Sequence, residues 1–195
     1  MLFKRLMSST VSRRAPTNLF QLFPKTFPNA QIRFRVDQKS LRKEYRLLQQ
    51  ESHPDSNIDH GSELKYDDST SSLLNKAYST LKDSLARSQH ILELNGIDLK
   101  QDEISKKYST KDHELLFDIL DIHENLENVS NETELEKLKE ENDERIESSE
   151  DSLEQFFKDQ NYEDAAVETI RLKYWWNIDN AIKNWEPGKP VNLTH

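Results

Sequence analysis

The triplet His53-Pro54-Asp55 places an imidazole and a carboxylate on either side of a proline, with Ser52 and Ser56 next to them. Serine, histidine and aspartate are the residue types of a hydrolytic triad, in which the imidazole takes the proton of the serine hydroxyl. A triad needs side chains that converge in space beside an oxyanion hole, and neighbours around one proline do not converge well. We therefore interpret the triplet as a binding determinant and expect no catalytic activity of the chain's own.

The residues before the triplet predict an amphipathic helix. In residues 37–52, Leu41, Tyr45 and Leu48 fall on one face at about 100° per residue. The opposite face carries mostly basic side chains, namely Lys39, Arg42, Lys43, Arg46 and Gln50. Pro54 ends the helix, because proline lacks an N–H donor and disfavours the helical conformation in the preceding residue. A basic helical face therefore leads directly into the triplet.

The residues after the triplet predict a second amphipathic helix. Residues 56–72 are expected to form a polar loop followed by the early part of this helix, with residues 64–68 as its possible first turn. Its apolar face comprises Leu74, Ala77, Tyr78, Leu81 and Leu85. The periodicity continues to Leu94, where Asn95-Gly96 predicts a helix stop, since glycine tolerates the left-handed conformation at that position. The two helices together predict a helical hairpin.

A basic helix, the triplet, a loop and then Asn75-x-Ala77-Tyr78-x-x-Leu81-x-Asp83 together resemble a J-domain. J-domain proteins are co-chaperones that stimulate ATP hydrolysis by DnaK-type (heat-shock 70 kDa) chaperones. The resemblance implies that Asp55 pairs with an arginine of the chaperone. It also implies that the basic face steers docking to an acidic patch, with ordinary solvation of that face as the alternative. The implied chaperone-binding residues are His53, Pro54, Asp55, Lys39, Arg42, Lys43 and Arg46.

Composition limits the remaining classes of function. The 195 residues include three glycines and no cysteine. The absence of cysteine excludes disulfides, a cysteine-based zinc site and an iron–sulfur cluster held by this chain's own thiolates. We expect no metal and no cofactor. Continuous helical periodicity with few breakers predicts an all-α protein.

Charge is distributed unevenly along the chain. Residues 1–36 contain seven of the 27 Lys and Arg residues and no acid, so that all 36 acidic residues begin at Asp37. The basic, Ser/Thr-rich segment 1–15 is typical of a mitochondrial transit peptide, which predicts the mitochondrial matrix; a disordered basic tail is the alternative. No window approaches the roughly 18 apolar residues of a membrane span, and the acidic remainder disfavours nucleic acid as a partner.

The segments around the hairpin predict short connecting structure. Residues 18–24 predict an abbreviated first helix with Asn18 as its N-cap. Residues 24–36 predict a connector whose apolar side chains, Ile32, Phe34 and Val36, rest on the hairpin. Residues 97–109 are expected to form a linker, with Thr110 or Ser109 capping the next helix.

Three amphipathic segments follow, at about 112–129, 132–160 and 162–185, and predict a bundle with a shared core. The first segment has a main apolar stripe of Leu115, Ile119, Ile122, Leu126 and Val129. The middle segment repeats Leu135, Leu138, Ile146, Leu153 and Phe157 at roughly heptad intervals. Residues 132–164 hold 14 acids and four bases, which indicates either a solvated helix face or an acidic binding patch.

A J-domain joined directly to a small acidic bundle, without a Gly/Phe-rich region or Cys-rich modules, resembles the HscB-type co-chaperones of iron–sulfur cluster biogenesis. Residues 82–88, 115–124 and 172–177 carry the resemblance, and the basic N-terminus places the chain with the fungal mitochondrial (Jac-type) branch. The resemblance implies a J-domain at 18–95 and a scaffold-binding three-helix bundle at 110–186, meeting in an L-like arrangement. The implied partners are a mitochondrial DnaK-type chaperone and an IscU-type iron–sulfur scaffold protein.

The same resemblance implies an exposed apolar patch that binds the scaffold. Its centre is Leu116, Leu120 and Tyr174, bordered by Leu115, Asp118, Asp121 and Glu124. Helical apolar residues usually form core, and that alternative stays open for the three central residues. Two other functions also stay open, namely a J-protein for mitochondrial import or general folding, and a structural helical adaptor with a degenerate J-domain.

Overall fold

The computed structural model describes residues 17–52 and 68–186, and within these ranges every regular element is helical. The predicted all-α architecture is confirmed. Two short 3-10 helices, Leu19–Leu22 and Pro28–Ala30, precede the α-helices. The α-helices are α1 (Gln38–Ser52), α2 (Asp68–Lys82), α3 (Ser84–Leu94), α4 (Asp102–Ser109), α5 (His113–Asn128), α6 (Glu132–Lys158) and α7 (Tyr162–Lys183). The proposed transit peptide and the triplet His53-Pro54-Asp55 lie outside the described ranges. No described helix is long and apolar enough to cross a membrane.

The first short helix forms as the sequence predicts. The Asn18 side chain accepts a hydrogen bond from the Phe20 N–H, which fixes the start of the helix. Phe20 and Phe27 are fully buried and meet edge to face, with ring centroids 4.9 Å apart. They belong to the same core as Leu41 of α1 and Leu81 of α2, so the aromatic N-terminal segment completes the hairpin core.

A buried carboxylate holds the turn after the first short helix. Glu44 is only 4% exposed, whereas the other charged side chains of α1 are exposed. Its two oxygens accept hydrogen bonds from the Lys25 N–H at 2.8 Å and the Thr26 N–H at 2.7 Å, and the Thr26 hydroxyl donates a third. These bonds compensate for burying the charge. The helical pattern gave no sign of this contact, because its partners are backbone groups about 20 residues away.

His90 makes a second contact between distant parts of the hairpin domain. The Leu19 N–H donates a hydrogen bond of 3.2 Å to Nε2 of the buried His90 ring, which stacks on Phe20. Burial lowers the pKa of His90, and Lys100 and Lys76 also lower it, against a raising effect of Glu93. Because an accepting Nε2 carries no proton, the observed bond requires the neutral ring.

The stability of the protein is therefore expected to fall as pH drops below about 6.5, the pKa of histidine in an unfolded chain. A histidine whose folded pKa is lowered binds more protons when unfolded, so its contribution is complete above that pH and is lost below it. Melting curves from pH 7.5 to 5.0 should show a steeper decline for the wild type than for His90→Gln. His113→Gln, which changes an exposed histidine, should keep the wild-type slope. Equal slopes in the wild type and His90→Gln would contradict this role.

The predicted continuous helix through residues 73–94 is wrong, because it breaks at Asp83 between α2 and α3. Asp83 has an extended backbone, and its side chain accepts a hydrogen bond of 2.7 Å from the Ala86 N–H. Nη1 of the buried Arg87 donates to the carbonyls that the break frees, at 2.6 Å to Leu81 and 3.3 Å to Lys82. The helix stop after Leu94 forms as predicted, with Gly96 at φ +86°.

The predicted linker 97–109 is partly wrong, because residues Asp102–Ser109 form α4. Its first turn is acidic and its last turn basic, an order that favours the helix dipole. Tyr108 is buried, and its hydroxyl donates a 2.8 Å hydrogen bond to Glu163 at the start of α7. The predicted cap for the next helix is also corrected. The Thr110 hydroxyl closes α4 by bonding the Lys106 carbonyl, and Asp112 caps α5 instead.

Helix α7 is the central element of the C-terminal half, where it contacts α3, α4, α5 and α6. Its buried residues are spread around the helix, which is typical of a helix with neighbours on several sides. Its buried residues include Ala165, Ile170, Leu172, Trp175, Ile178 and Ala181. Small side chains let α3 and α7 approach closely, and the hydroxyls of Ser88 and Thr169 share a buried hydrogen bond between the two helices.

The predicted contacts of the connector before α1, residues 24–36, are partly wrong. Phe34 is buried as predicted, but its ring lies 5.6 Å from that of Phe157 in α6, so the connector also contacts the bundle. The Arg35 N–H donates to Glu154 at 2.9 Å, and its guanidinium pairs with Asp151. Ile32, by contrast, is 41% exposed. The connector therefore joins the hairpin to α6.

Candidate functional site

The basic face of α1 is presented to solvent. Leu41 is buried on the inner side of the helix, and Tyr45 and Leu48 are half-buried there. All four basic residues of the outer face, Lys39, Arg42, Lys43 and Arg46, are exposed. This arrangement offers an acidic partner four cations on one side of the helix that leads to the triplet.

Side-chain contacts hold α1 against α2. The rings of Tyr45 and Tyr78 stack with centroids 4.0 Å apart. Oδ1 of Asn75 accepts hydrogen bonds from the Tyr45 hydroxyl at 2.8 Å and from the Gln49 amide at 2.6 Å. These contacts fix the register of the two helices on either side of the triplet in the sequence. The triplet itself is outside the described residues.

Helix α5 displays three large apolar side chains in succession on its outer side. Leu116 is 61% exposed, Phe117 71% and Leu120 58%, whereas Leu115 is buried at 3%. The core alternative is therefore wrong for Leu116 and Leu120. Phe117 was not among the predicted residues, because it lies off the main apolar stripe of its helix. Exposed apolar side chains grouped on one helix mark an interaction surface.

A groove of about 450 Å³ lies between the first turns of α5 and the half-buried Tyr174 of α7. Leu116 and Phe117 line it from α5, with the buried Leu115 beside them. Tyr174 therefore belongs to the same surface as Leu116, although the two residues are far apart in the sequence. Leu120 does not line the groove and adds to the apolar surface farther along α5.

The three predicted border acids, Asp118, Asp121 and Glu124, are all exposed on α5. Asp118 and Asp121 line a second, polar cleft of about 450 Å³ between α5, α6 and α7. Glu168 of α7 also lines this cleft, and burial raises the pKa of its carboxyl. Neither Asp118 nor Asp121 lines the apolar groove, so the assignment of the three acids as the border of that surface stays a prediction.

The carboxylate of Asp112 fixes the start of α5. Its Oδ1 accepts the capping hydrogen bond from the Leu115 N–H at 3.1 Å. Its Oδ2 accepts from Arg171 of α7, at 3.0 Å from Nε and 2.5 Å from Nη2. Just before Asp112, Lys111 pairs with Glu163 of α7 at 2.7 Å. The elbow between α4 and α5 is thus fastened to α7 by two ion pairs.

Residues 111–183 match the family model described as the HSCB C-terminal oligomerisation domain. The J-type co-chaperone JAC1, mitochondrial, of Saccharomyces cerevisiae is 42% identical over 191 residues, covering 97% of this chain and 100% of that protein. The iron-sulfur cluster co-chaperone protein HscB of Mus musculus is 29% identical over 156 residues, covering 80% of this chain and 65% of that protein.

The fold agrees with these sequence relationships. The solved structure of the Jac1 co-chaperone from Saccharomyces cerevisiae superposes with a TM-score of 0.77 at 44% identity, covering 92% of this chain and 100% of that one. A hairpin with an exposed basic face, a helical C-terminal half and a match over the full length of a relative all indicate one family. The chain therefore belongs to the Jac1/HscB family of J-type co-chaperones.

Proposed function

We propose that this protein binds an IscU-type iron–sulfur scaffold through its C-terminal bundle and delivers it to a DnaK-type chaperone, whose ATPase it stimulates through its J-domain. In this proposal residues 18–95 form the J-domain and residues 110–186 the scaffold-binding bundle. The observation that carries it is the exposed apolar surface of Leu116, Phe117 and Leu120 beside the groove at Tyr174. A chain of this co-chaperone family has a use for such a surface, since it must hold a client while its J-domain acts.

The chaperone-binding part of the proposal is supported by the exposed cations of α1 and by their place before the triplet. We assign Lys39, Arg42, Lys43 and Arg46 to electrostatic docking. We assign His53, Pro54 and Asp55 to triggering ATP hydrolysis by the chaperone. Under this assignment the protein carries out no chemistry itself. The chaperone hydrolyses ATP, clamps the scaffold and promotes release of the cluster.

Joining the two sites in one chain has a physical advantage. Once the bundle holds the scaffold, the encounter of chaperone and scaffold becomes effectively intramolecular, so two weak sites give a strong combined effect. The contacts at the junction support this mechanism, because Ser88 meets Thr169 and Phe34 meets Phe157 between the two halves. Such contacts limit how far the J-domain swings relative to a bound scaffold.

The relative from Saccharomyces cerevisiae is named mitochondrial, which supports the mitochondrion as the compartment of the present chain. We propose the matrix as its location and residues 1–15 as the targeting segment, supported by the acid-free N-terminus. Scaffold binding would then take place in the compartment that the targeting segment specifies.

The proposal is tested by titrating the intact protein with a purified IscU-type scaffold and, separately, with a permanently unfolded polypeptide. We expect saturable binding to the folded scaffold that excess unfolded chain does not displace, because the apolar groove is small and its lining side chains are held on packed helices. A J-protein for import or general folding would behave oppositely. Binding to unfolded chain with none to the scaffold would overturn the proposed function in favour of that alternative.

A further inference from the structure

We infer that Asp112 and Arg171 are positioning residues for the apolar groove, because their ion pair sets the spacing between α5 and α7 that the partner recognises. The inference rests on the proposed function, since it concerns how the scaffold-binding surface is shaped. Neither residue is one of the exposed apolar side chains; Asp112 lines the groove at one end, and Arg171 does not line it.

The pair joins the two walls of the groove at one end. Leu116 lies four residues beyond Asp112, and Tyr174 lies three residues beyond Arg171, which is about one helical turn in each case. Leu116, Tyr174 and Asp112 all line the same groove. A change in the separation of Asp112 and Arg171 would therefore move the two walls relative to each other.

The geometry of the carboxylate couples this separation to the helix start. One oxygen of Asp112 caps α5 through the Leu115 N–H, and the other accepts both hydrogen bonds from Arg171. The Asp112 side chain is 7% exposed and that of Arg171 34%, so the pair is shielded more than an ordinary surface pair. Charge-assisted hydrogen bonds in such surroundings are short and directional.

Other charges do not replace Asp112 as the partner of Arg171. Burial opposes the charge on Arg171, but the hydrogen bond to Asp112 and the nearby acids Glu168 and Asp118 outweigh it, so the pKa of Arg171 is raised. Only Asp112 among these acids also caps a helix and lines the apolar groove. It therefore transmits the position of α7 to the first turn of α5.

The test uses two conservative variants of the full-length protein. Asp112→Ser keeps a good N-cap for α5 but removes the charge. Arg171→Lys keeps the charge but loses the planar arrangement of two donors. We expect each variant to bind a purified IscU-type scaffold about tenfold more weakly, the effect of losing a charged hydrogen bond. Stimulation of the chaperone in the absence of scaffold should not change.

Lys183→Met is the matched control. Lys183 pairs at 2.5 Å with Asp179, whose side chain is 4% exposed, so this control also leaves a buried carboxylate of α7 without its partner. Lys183 lies 12 residues beyond Arg171, about 18 Å along α7, and it does not line the groove. The control should lower the melting temperature without weakening scaffold binding. The double variant Asp112→Ser with Arg171→Met should lose no more affinity than Asp112→Ser alone, because the two residues act as one unit.

The outcomes separate this inference from the proposed function. If Asp112→Ser and Arg171→Lys bind scaffold as the wild type does, while replacing Leu116 and Leu120 by Ala removes binding, the positioning role is overturned and the proposed function stands. Equal losses of affinity in Lys183→Met and Asp112→Ser would also overturn it, since they would reflect general destabilisation. A wild-type chain that does not bind scaffold would overturn the proposed function, and this inference with it.

Discussion

Replacing His53 with Gln, or Asp55 with Ala, is expected to abolish stimulation of the chaperone ATPase while scaffold binding stays at the wild-type level. The physical reason is that the triplet falls between α1 and α2 in the sequence and contributes no residue to the apolar stripe of either helix. Its loss should therefore remove a contact with the chaperone without disturbing a core. The measurement is single-turnover ATP hydrolysis by a DnaK-type chaperone at increasing concentrations of each variant.

The two serines next to the triplet provide the control for this experiment. Ser52→Ala and Ser56→Ala change the direct neighbours of the triplet and should stimulate normally, whereas a triad that included either serine would lose activity.

Replacing Arg42 and Lys43 with Glu should raise the concentration needed for half-maximal stimulation, because it reverses charges that are exposed on α1. Docking of the wild type should likewise weaken with added salt. Full stimulation by His53→Gln would contradict the assignment of the triplet.

Replacing Leu116, Leu120 and Tyr174 together with Ala is expected to lower scaffold affinity by about two orders of magnitude or more. Interface hot spots cost about 2 kcal/mol or more on truncation, and a tenfold loss of affinity corresponds to about 1.4 kcal/mol. Non-additivity among neighbours makes the sum of three such losses an upper bound. The melting temperature should change little at Leu116 and Leu120, which are 61% and 58% exposed.

Two single variants show whether exposure decides the outcome. Leu115→Ala truncates the buried neighbour in the same turn and should cost about 2–5 kcal/mol of stability. Leu73→Ala truncates an exposed leucine, 38% exposed on α2, and should change neither stability nor scaffold affinity appreciably. A folded triple variant with wild-type affinity would contradict the assignment of the surface.

The long periodic segments were the predictable part of the fold. The apolar stripes of residues 37–52, 112–129, 132–160 and 162–185 each correspond to a helix, because burying one face against neighbours is what such a pattern achieves. Asn18 and Gly96 were also readable, since capping depends on residue type and immediate neighbours. Local chemistry therefore located the start of the first short helix and the end of α3.

The missed features depend on contacts between residues far apart in the sequence. Helix α4 is short, and its one fully buried residue, Tyr108, has its hydrogen-bond partner Glu163 on α7. Likewise α6 buries Asn142 and Ser149 because their side chains bond Trp175, through its carbonyl and its indole N–H. The apolar periodicity of α6 alone does not predict those hydrogen bonds. The break at Asp83 was missed because the apolar stripe runs through it without interruption.

The candidate site likewise has one part that the sequence predicts and another that depends on contacts between distant residues. The basic face of α1 follows from helical spacing, and the structure exposes all four of its cations. The exposure of Leu116 and Leu120 could not follow from spacing, because apolar residues on a helix usually form core. Phe117 and the pair of Asp112 with Arg171 needed the three-dimensional arrangement of α5 against α7.

The most direct test of the two-site account is ATP hydrolysis by the chaperone, measured against scaffold concentration for three proteins. With the wild type, we expect scaffold to increase stimulation. With the Leu116, Leu120 and Tyr174 triple variant, stimulation without scaffold should equal that of the wild type, and the increase should vanish. With His53→Gln, no scaffold concentration should restore hydrolysis. Two results would contradict the account. One is a folded triple variant that does not stimulate ATP hydrolysis without scaffold, and the other is a rise in ATP hydrolysis with scaffold concentration in the presence of His53→Gln.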